Sequence, residues 1–311
     1  MNKFKGFLFG MTASSTFGLL PLFTLPIMSE GLTTNSILCY RMLFASVLVA
    51  VLMQVRKIAF CTNLRELLWF AFLGFFYYGS ASLLFQAYGT MSSGMATTLH
   101  FLYPVGVTLI MALVFKQRPS PFTILAIILG LSGVALLSLK EGGGSSSASL
   151  VGILLVLLSG LSYAAYLVTM NNVRRVRESN NLKLTLYVLI FSALFFLLDT
   201  SLSGGLQMIP SRRALTNLLL LAFLPTLVSN LALVRAVKSI GSTLTSVLGA
   251  MEPLTAIVIG VVVFGEEVTG PMALGILLIL LSVTIIVLSP LLDKNIADRL
   301  SRLSKRPIRR Q

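Results

Sequence analysis

The sequence predicts an all-α polytopic membrane protein, with ten transmembrane helices forming two inverted five-helix repeats around a central cavity. Three observations carry that reading. The 311 residues are 56% hydrophobic and only 11% charged, whereas a soluble domain carries about 25% charged residues. The apolar runs reach the roughly 20 residues a bilayer core requires. Two of those runs also share a device, a proline deep in an apolar helix. One runs from Ala87-Tyr88-Gly89-Thr90 to His100-Phe101-Leu102-Tyr103-Pro104, the other from Ala236-Val237-Lys238-Ser239 to Gly249-Ala250-Met251-Glu252-Pro253. The offset that carries Pro104 onto Pro253 also carries Phe115 onto Phe264. Broken helices at matching places in two halves point to a site near the bilayer midplane.

Taken in order, the expected spans are Phe4–Leu25, Asn35–Val55, Glu66–Tyr88, Ser93–Phe115, Pro121–Leu139, Leu150–Met170, Leu184–Leu198, Leu215–Val237, Thr243–Phe264 and Pro271–Leu288. The first run exceeds a signal-peptide core and lacks a small-x-small cleavage site, so it reads as a span. The period-2 alternation of a membrane barrel is not found. Basic residues set the topology. With the N-terminus inside, the outer loops hold only Lys140, Arg212 and Arg213, and Arg41 lies within a span. The rest of the 24 basic residues fall inside, from Lys3 and Lys5 to the tail run Lys294–Arg310. Both termini are therefore expected in the cytoplasm. The basic tail reads as an anchor on anionic lipid. It has no aromatic residues to stack bases, so nucleic acid is not an expected partner. A homodimer is left open.

The halves meet at Glu141-Gly142-Gly143-Gly144-Ser145-Ser146-Ser147-Ala148-Ser149, a flexible linker composition. The expected organisation is a first repeat over 1–140, a linker over 141–149, a second repeat over 150–290 and a basic tail over 291–311. Five spans per half is odd, so the second half enters the membrane upside down relative to the first. Ser92, Ser93, Gly94, Gly74, Gly79, Gly241 and Ser242 are small enough for close helix approach. Cys39 in a span and Cys61 in a loop on the other side give no structural disulfide.

Glu252 is the leading site candidate, because a carboxylate deep in an apolar helix is costly and must face a cavity or a partner. Pro253 has no N–H, so the Gly249 carbonyl is expected to lose its helical partner beside that acid. The acid binds substrate or a proton, or else holds the bend as a hydrogen-bond donor. His100, the single histidine, sits one turn before Pro104 and is either a proton sensor or an interhelical hydrogen-bond partner. Arg41 suits a substrate carboxylate, a structural partner, or a headgroup reached by snorkelling. Tyr77, Tyr103 and Tyr163 are the deeper aromatics and the candidates for cavity lining, and Asn230 offers an amide at depth. No metal cluster accompanies His100, and no phosphate-binding Gly-x-x-x-x-Gly-Lys-Ser/Thr occurs, so neither a metal nor another cofactor is expected.

An alanine, small residues shortly after it and a helix running to x-Pro occur in both halves. Phe264-Gly265-Glu266-Glu267-Val268-Thr269-Gly270 and Leu274-Gly275-Ile276-Leu277-Leu278 follow in the second. With Glu252-Pro253-Leu254-Thr255-Ala256, this resembles the drug/metabolite transporter superfamily, and within it the EamA-domain permeases. Lys116-Gln117-Arg118 stands where that pattern has Gly-Glu, and Tyr103 stands where it has Glu. The resemblance covers Gly6 to Leu288. It implies two inverted five-helix repeats around a cavity and export or exchange of a small-molecule solute, amino acids, other metabolites and drugs being the range. An intramembrane enzyme and a passive channel or receptor are the competing readings. The first needs paired catalytic groups and a nucleophile motif such as Gly-x-Ser-x-Gly, which is absent. The second usually needs rings of polar residues.

Overall fold

The computed structural model describes residues 3–87, 90, 96, 99–117, 119–138, 150–264, 270, 271, 273–285 and 288. The linker, the basic tail, Ser92–Gly94, Arg118, Glu266 and Glu267 lie outside the described residues. Among those described, the chain is helix joined by turns and short connections, without strands. The helices are α1 (Lys3–Phe17), α2 (Leu20–Ser29), α3 (Thr34–Val55), α4 (Leu64–Ala87), α5 (Tyr103–Leu113), α6 (Pro121–Ser138) and α7 (Leu150–Asn172). They continue as α8 (Arg174–Glu178), α9 (Asn181–Leu202), α10 (Arg212–Leu221), α11 (Ser229–Ile240), α12 (Ser242–Leu248), α13 (Met251–Phe264) and α14 (Ala273–Ile285).

Among the described residues, six helical runs are long and apolar enough to cross a membrane: Lys3–Ser29, Thr34–Val55, Leu64–Ala87, Leu150–Asn172, Asn181–Leu202 and Arg212–Ile240. Their outer faces carry large apolar side chains, with Val47 60% and Leu198 62% exposed. That is a surface suited to lipid rather than water.

Prolines account for the interruptions. Pro21 cannot donate to the Phe17 carbonyl, and the first run breaks into α1 and α2 at Gly18-Leu19. Pro225 cannot donate to the Leu221 carbonyl, and the chain widens into a π-helical turn over Ala222–Val228. The expected spans missed both features and read these segments as continuous. The seventh expected span, Leu184–Leu198, extends to Asn181–Leu202 because Asn180 caps it through its side chain, accepting from Leu182 N–H.

The halves interleave in a reciprocal way. α1 packs on α11 as α7 packs on α4, α5 packs on α7 as α13 packs on α1, and α3 packs on α9. α6 meets α14, where Ser282 donates to the Ala126 carbonyl at 2.6 Å. Serines supply much of the polar contact between helices. Ser159 and Ser162 on α7 and Ser192 on α9 donate to the α4 carbonyls of Ser80, Phe76 and Gly74. Helices from both halves thus surround one interior, in which the two proline breaks face each other.

Candidate functional site

In the second half the helix breaks between α12 and α13. Gly249 and Ala250 turn back onto Ser246 and Val247 with three-residue spacing. The carbonyl of Gly249, expected to be free, accepts from the Glu252 N–H at 2.9 Å. The tighter turn substitutes an i+3 donor for the missing proline donor, so this carbonyl is not free. In the first half the chain turns at Phe101-Leu102 and α5 starts at Tyr103. The repeat offset pairs Tyr103 with Glu252, and the fold brings both to one central cavity. Tyr103 also reaches across to the opposite break. Its hydroxyl lies so close to Gly249 that any side chain there would collide with it.

That cavity measures about 20 Å³, enough for a water or two. α1 contributes Ala13, Ser14 and Phe17, α7 contributes Tyr163 and Leu167, and α11 contributes Ser229 and Leu233. Thr245 and Ser246 of α12 and Glu252 of α13 complete it with Tyr103. The wall is aromatic on one side and hydroxylated on the other, with one carboxylate. Close approach here depends on Gly18, where a Cβ would lie 2.5 Å from the Glu252 carbonyl oxygen. The α1–α2 break thereby seats against the α13 start.

Arg41 is buried, at 2% exposure, rather than extended to a headgroup. Its Nε donates to Thr226 Oγ1 at 2.7 Å, and the Thr226 hydroxyl donates in turn to the Leu221 carbonyl at 2.8 Å. Thr226 therefore adds a side-chain donor to the carbonyl that Pro225 cannot serve, and positions Arg41 as well. One terminal guanidinium nitrogen, Nη2, is buried with no hydrogen-bond partner. The guanidinium carbon lies 5.2 Å from the ring centroid of Phe17, a cation–π distance. Phe17, which lines the cavity, thus also contacts Arg41. Tyr77, Glu252 and Tyr163 lie within electrostatic reach of Arg41.

The remaining candidates connect to this centre. Asn230 Nδ2 donates to the Thr226 carbonyl at 2.8 Å and to Tyr77 Oη at 3.2 Å. The Tyr77 ring lies 5.4 Å from Tyr166, which stacks at 5.9 Å on Tyr163, and Tyr163 meets Tyr103 edge-on at 4.8 Å. His100 is beside both Tyr103 and Tyr163, with its Nδ1 3.0 Å from Ser159 Oγ. The Ser159 hydroxyl has one proton, directed at the Ser80 carbonyl at 2.5 Å, so it accepts from His100. This assigns the ring proton to Nδ1. The pair is thereby arranged as a structural contact and not as an activated nucleophile, whose proton would point at the base.

Glu252, Tyr103 and Tyr163 touch the cavity itself. Arg41, Tyr77, Asn230 and His100 form the polar shell behind it. Pro253 and Pro104 occupy the α13 and α5 starts. Phe17, Ser14, Ser229, Thr226 and Ser246 were not singled out in the sequence. Thr226 had a signal, since it follows the intrahelical Pro225. The others are ordinary residues for an apolar helix. Among the described residues, no three His, Cys, Asp or Glu side chains come together as a metal site.

Comparison with known proteins bears on the family and the fold. The family model described as the EamA-like transporter family matches twice, over residues 4–139 and 150–288. A Synechocystis protein named as an uncharacterized transporter, sll1319, is 26% identical over 227 residues, covering 71% of this chain and 67% of the relative. One solved crystal structure superimposes with a TM-score of 0.79 at 19% identity, covering 94% of this chain and 98% of the other. That likeness concerns the fold alone.

Proposed function

This chain belongs to the EamA-like transporter family, and from that premise we propose that it is a secondary carrier moving small solutes by alternating access. In this reading ten spans form two oppositely oriented repeats, both termini lie in the cytoplasm, and the carrier exports or exchanges its solute across the inner membrane. One observation carries the proposal: Glu252 and Tyr103, at equivalent positions of two helix breaks, share one small cavity walled by helices of both halves. A cavity that small is the occluded stage of such a cycle, and rocking of the halves opens it to one side and then the other.

The solute class follows from the wall. The Glu252 carboxylate suits an ammonium group, and Phe17, Tyr103 and Tyr163 suit an apolar body beside it. Arg41 has an unpaired nitrogen that meets a carboxylate once Phe17 swings aside. An amphipathic amine, amino acids included, fits this set. The test is efflux from proteoliposomes loaded with a mixed pool of amino acids and metabolites, read by mass spectrometry against protein-free liposomes. Selective, saturable loss of amine-bearing solutes supports the proposal. Flux that neither saturates nor discriminates refutes it in favour of a channel, and chemical conversion of a solute refutes it in favour of an enzyme.

A further inference from the structure

A second cavity, of about 220 Å³, lies at the other end of α12 from Glu252. It is formed where the ends of α5, α7 and α11 meet the starts of α6 and α12, the cytoplasmic side in the proposed topology. Gln117, Ser120, Thr123, Asn171, Ser242 and Thr243 face it, and its described lining bears no charged side chain. Ser242 is fully buried, and its hydroxyl has no hydrogen-bond partner. A buried unpaired hydroxyl is costly, and most such groups in folded proteins are satisfied by protein or water. Here Ser242 is among the residues lining a cavity about eleven times the volume of the central one.

The two cavities share one wall. Ser242 to Leu244 line the outer one, and Thr245 and Ser246, the next residues of α12, line the central one. This helix is short and bounded on both sides by glycine. Gly241 has φ 87°, a conformation that favours glycine, and Gly249 sits in the turn before α13.

We propose that this vestibule is a solute-binding subsite on the path to Glu252. It selects a neutral group that both gives and takes hydrogen bonds, a carboxamide or a hydroxyl, and Ser242 completes its hydrogen bond when that group is present. Amides and hydroxyls match such groups, and the described lining offers no charge to a second ionised one. The proposal rests on the carrier reading for its place in a cycle, but its binding chemistry can be tested separately.

The test uses the full chain in inside-out membrane vesicles, carrying Cys61→Ser and Thr243→Cys and labelled with an impermeant methanethiosulfonate reagent. The probe is L-glutamine, and L-leucine, which has no neutral hydrogen-bonding side chain, is the comparison. Glutamine is expected to slow labelling and leucine to leave it unchanged. In Ser242→Ala, reaching the same protection should need about fivefold more glutamine, the cost of one hydrogen bond. Removing an unpartnered hydroxyl does not weaken folding, and Asn171→Ala provides a second variant with the same expectation. Absence of labelling, absence of glutamine protection, equal protection by leucine, or protection unchanged in both variants overturns the proposal. Protection without glutamine flux in proteoliposomes retains the subsite and overturns the carrier reading for this solute. Flux without protection does the reverse.

Discussion

Replacing Thr226 by valine keeps the side-chain shape and removes one hydroxyl, at the point where the Pro225 break meets Arg41. Two hydrogen bonds go with it: the acceptor for Arg41 Nε at 2.7 Å and the donor to the Leu221 carbonyl at 2.8 Å. A hydrogen bond to a charged group contributes about 1.5–3 kcal/mol and a neutral one about 0.5–1.5. Interhelical bonds in membranes average lower, about 0.6 kcal/mol. The loss should therefore be about 1–3 kcal/mol, most of it from Arg41, which already has one buried nitrogen without a partner. Thr226→Ser keeps the hydroxyl and loses one methyl, about 0.8 kcal/mol, so it should be the milder variant. In a Pro225→Ala background the chain regains an N–H for the Leu221 carbonyl. The cost of Thr226→Val should then fall to the Arg41 share. The assay is denaturation of the purified protein in detergent across these variants. Thr226→Val as stable as Thr226→Ser would refute the reasoning, and so would an unchanged cost in the Pro225→Ala background.

Three further outcomes follow from close contacts and from the shell around the cavity. Gly249→Ala should destabilise by about 1–3 kcal/mol through overpacking against the Tyr103 hydroxyl and the Ser246 carbonyl, 2.8 Å from the added Cβ. Tyr103→Phe should restore part of that loss in a double-mutant cycle, and strict additivity would show that the two residues do not meet. Gly74→Ala should cost a similar amount, because the added Cβ would lie 2.6 Å from Phe191 Cβ and 3.1 Å from the Val188 carbonyl, closing the α4–α9 contact; an unchanged melting temperature would contradict that packing. His100→Gln should leave the pH profile of transport in place, since His100 belongs to the shell and its Nδ1 is engaged by Ser159; loss of the pH profile would make the histidine the titrating group.

The parts of this arrangement that depend on one segment were legible in the sequence. Pro104 and Pro253 announced the two breaks, the common offset paired Tyr103 with Glu252, and the fold places that pair in one cavity. Features set by contacts between distant segments were not legible. Arg41 looked equally suited to a headgroup, because its acceptor lies 185 residues away at Thr226. The Gly249 carbonyl was expected to be free, because the sequence shows the missing proline N–H but not the tighter turn that brings the Glu252 N–H to it. Pro21 and Pro225 were visible as letters. Yet hydropathy treats a break and a continuous helix alike, so two interrupted runs were read as plain spans. The vestibule was invisible for a related reason. Gln117, Asn171 and Ser242 are scattered polar residues until five helix ends converge on them.

The central proposal is that Glu252, at the junction of the two breaks, binds the transported solute or a proton. The most direct test is solute flux in proteoliposomes across a range of pH, for the wild-type protein and for Glu252→Gln. The account predicts flux that varies with pH in the wild type and loses that variation in Glu252→Gln, because an amide of the same shape cannot titrate. Flux in Glu252→Gln with the wild-type rate and pH profile would contradict it.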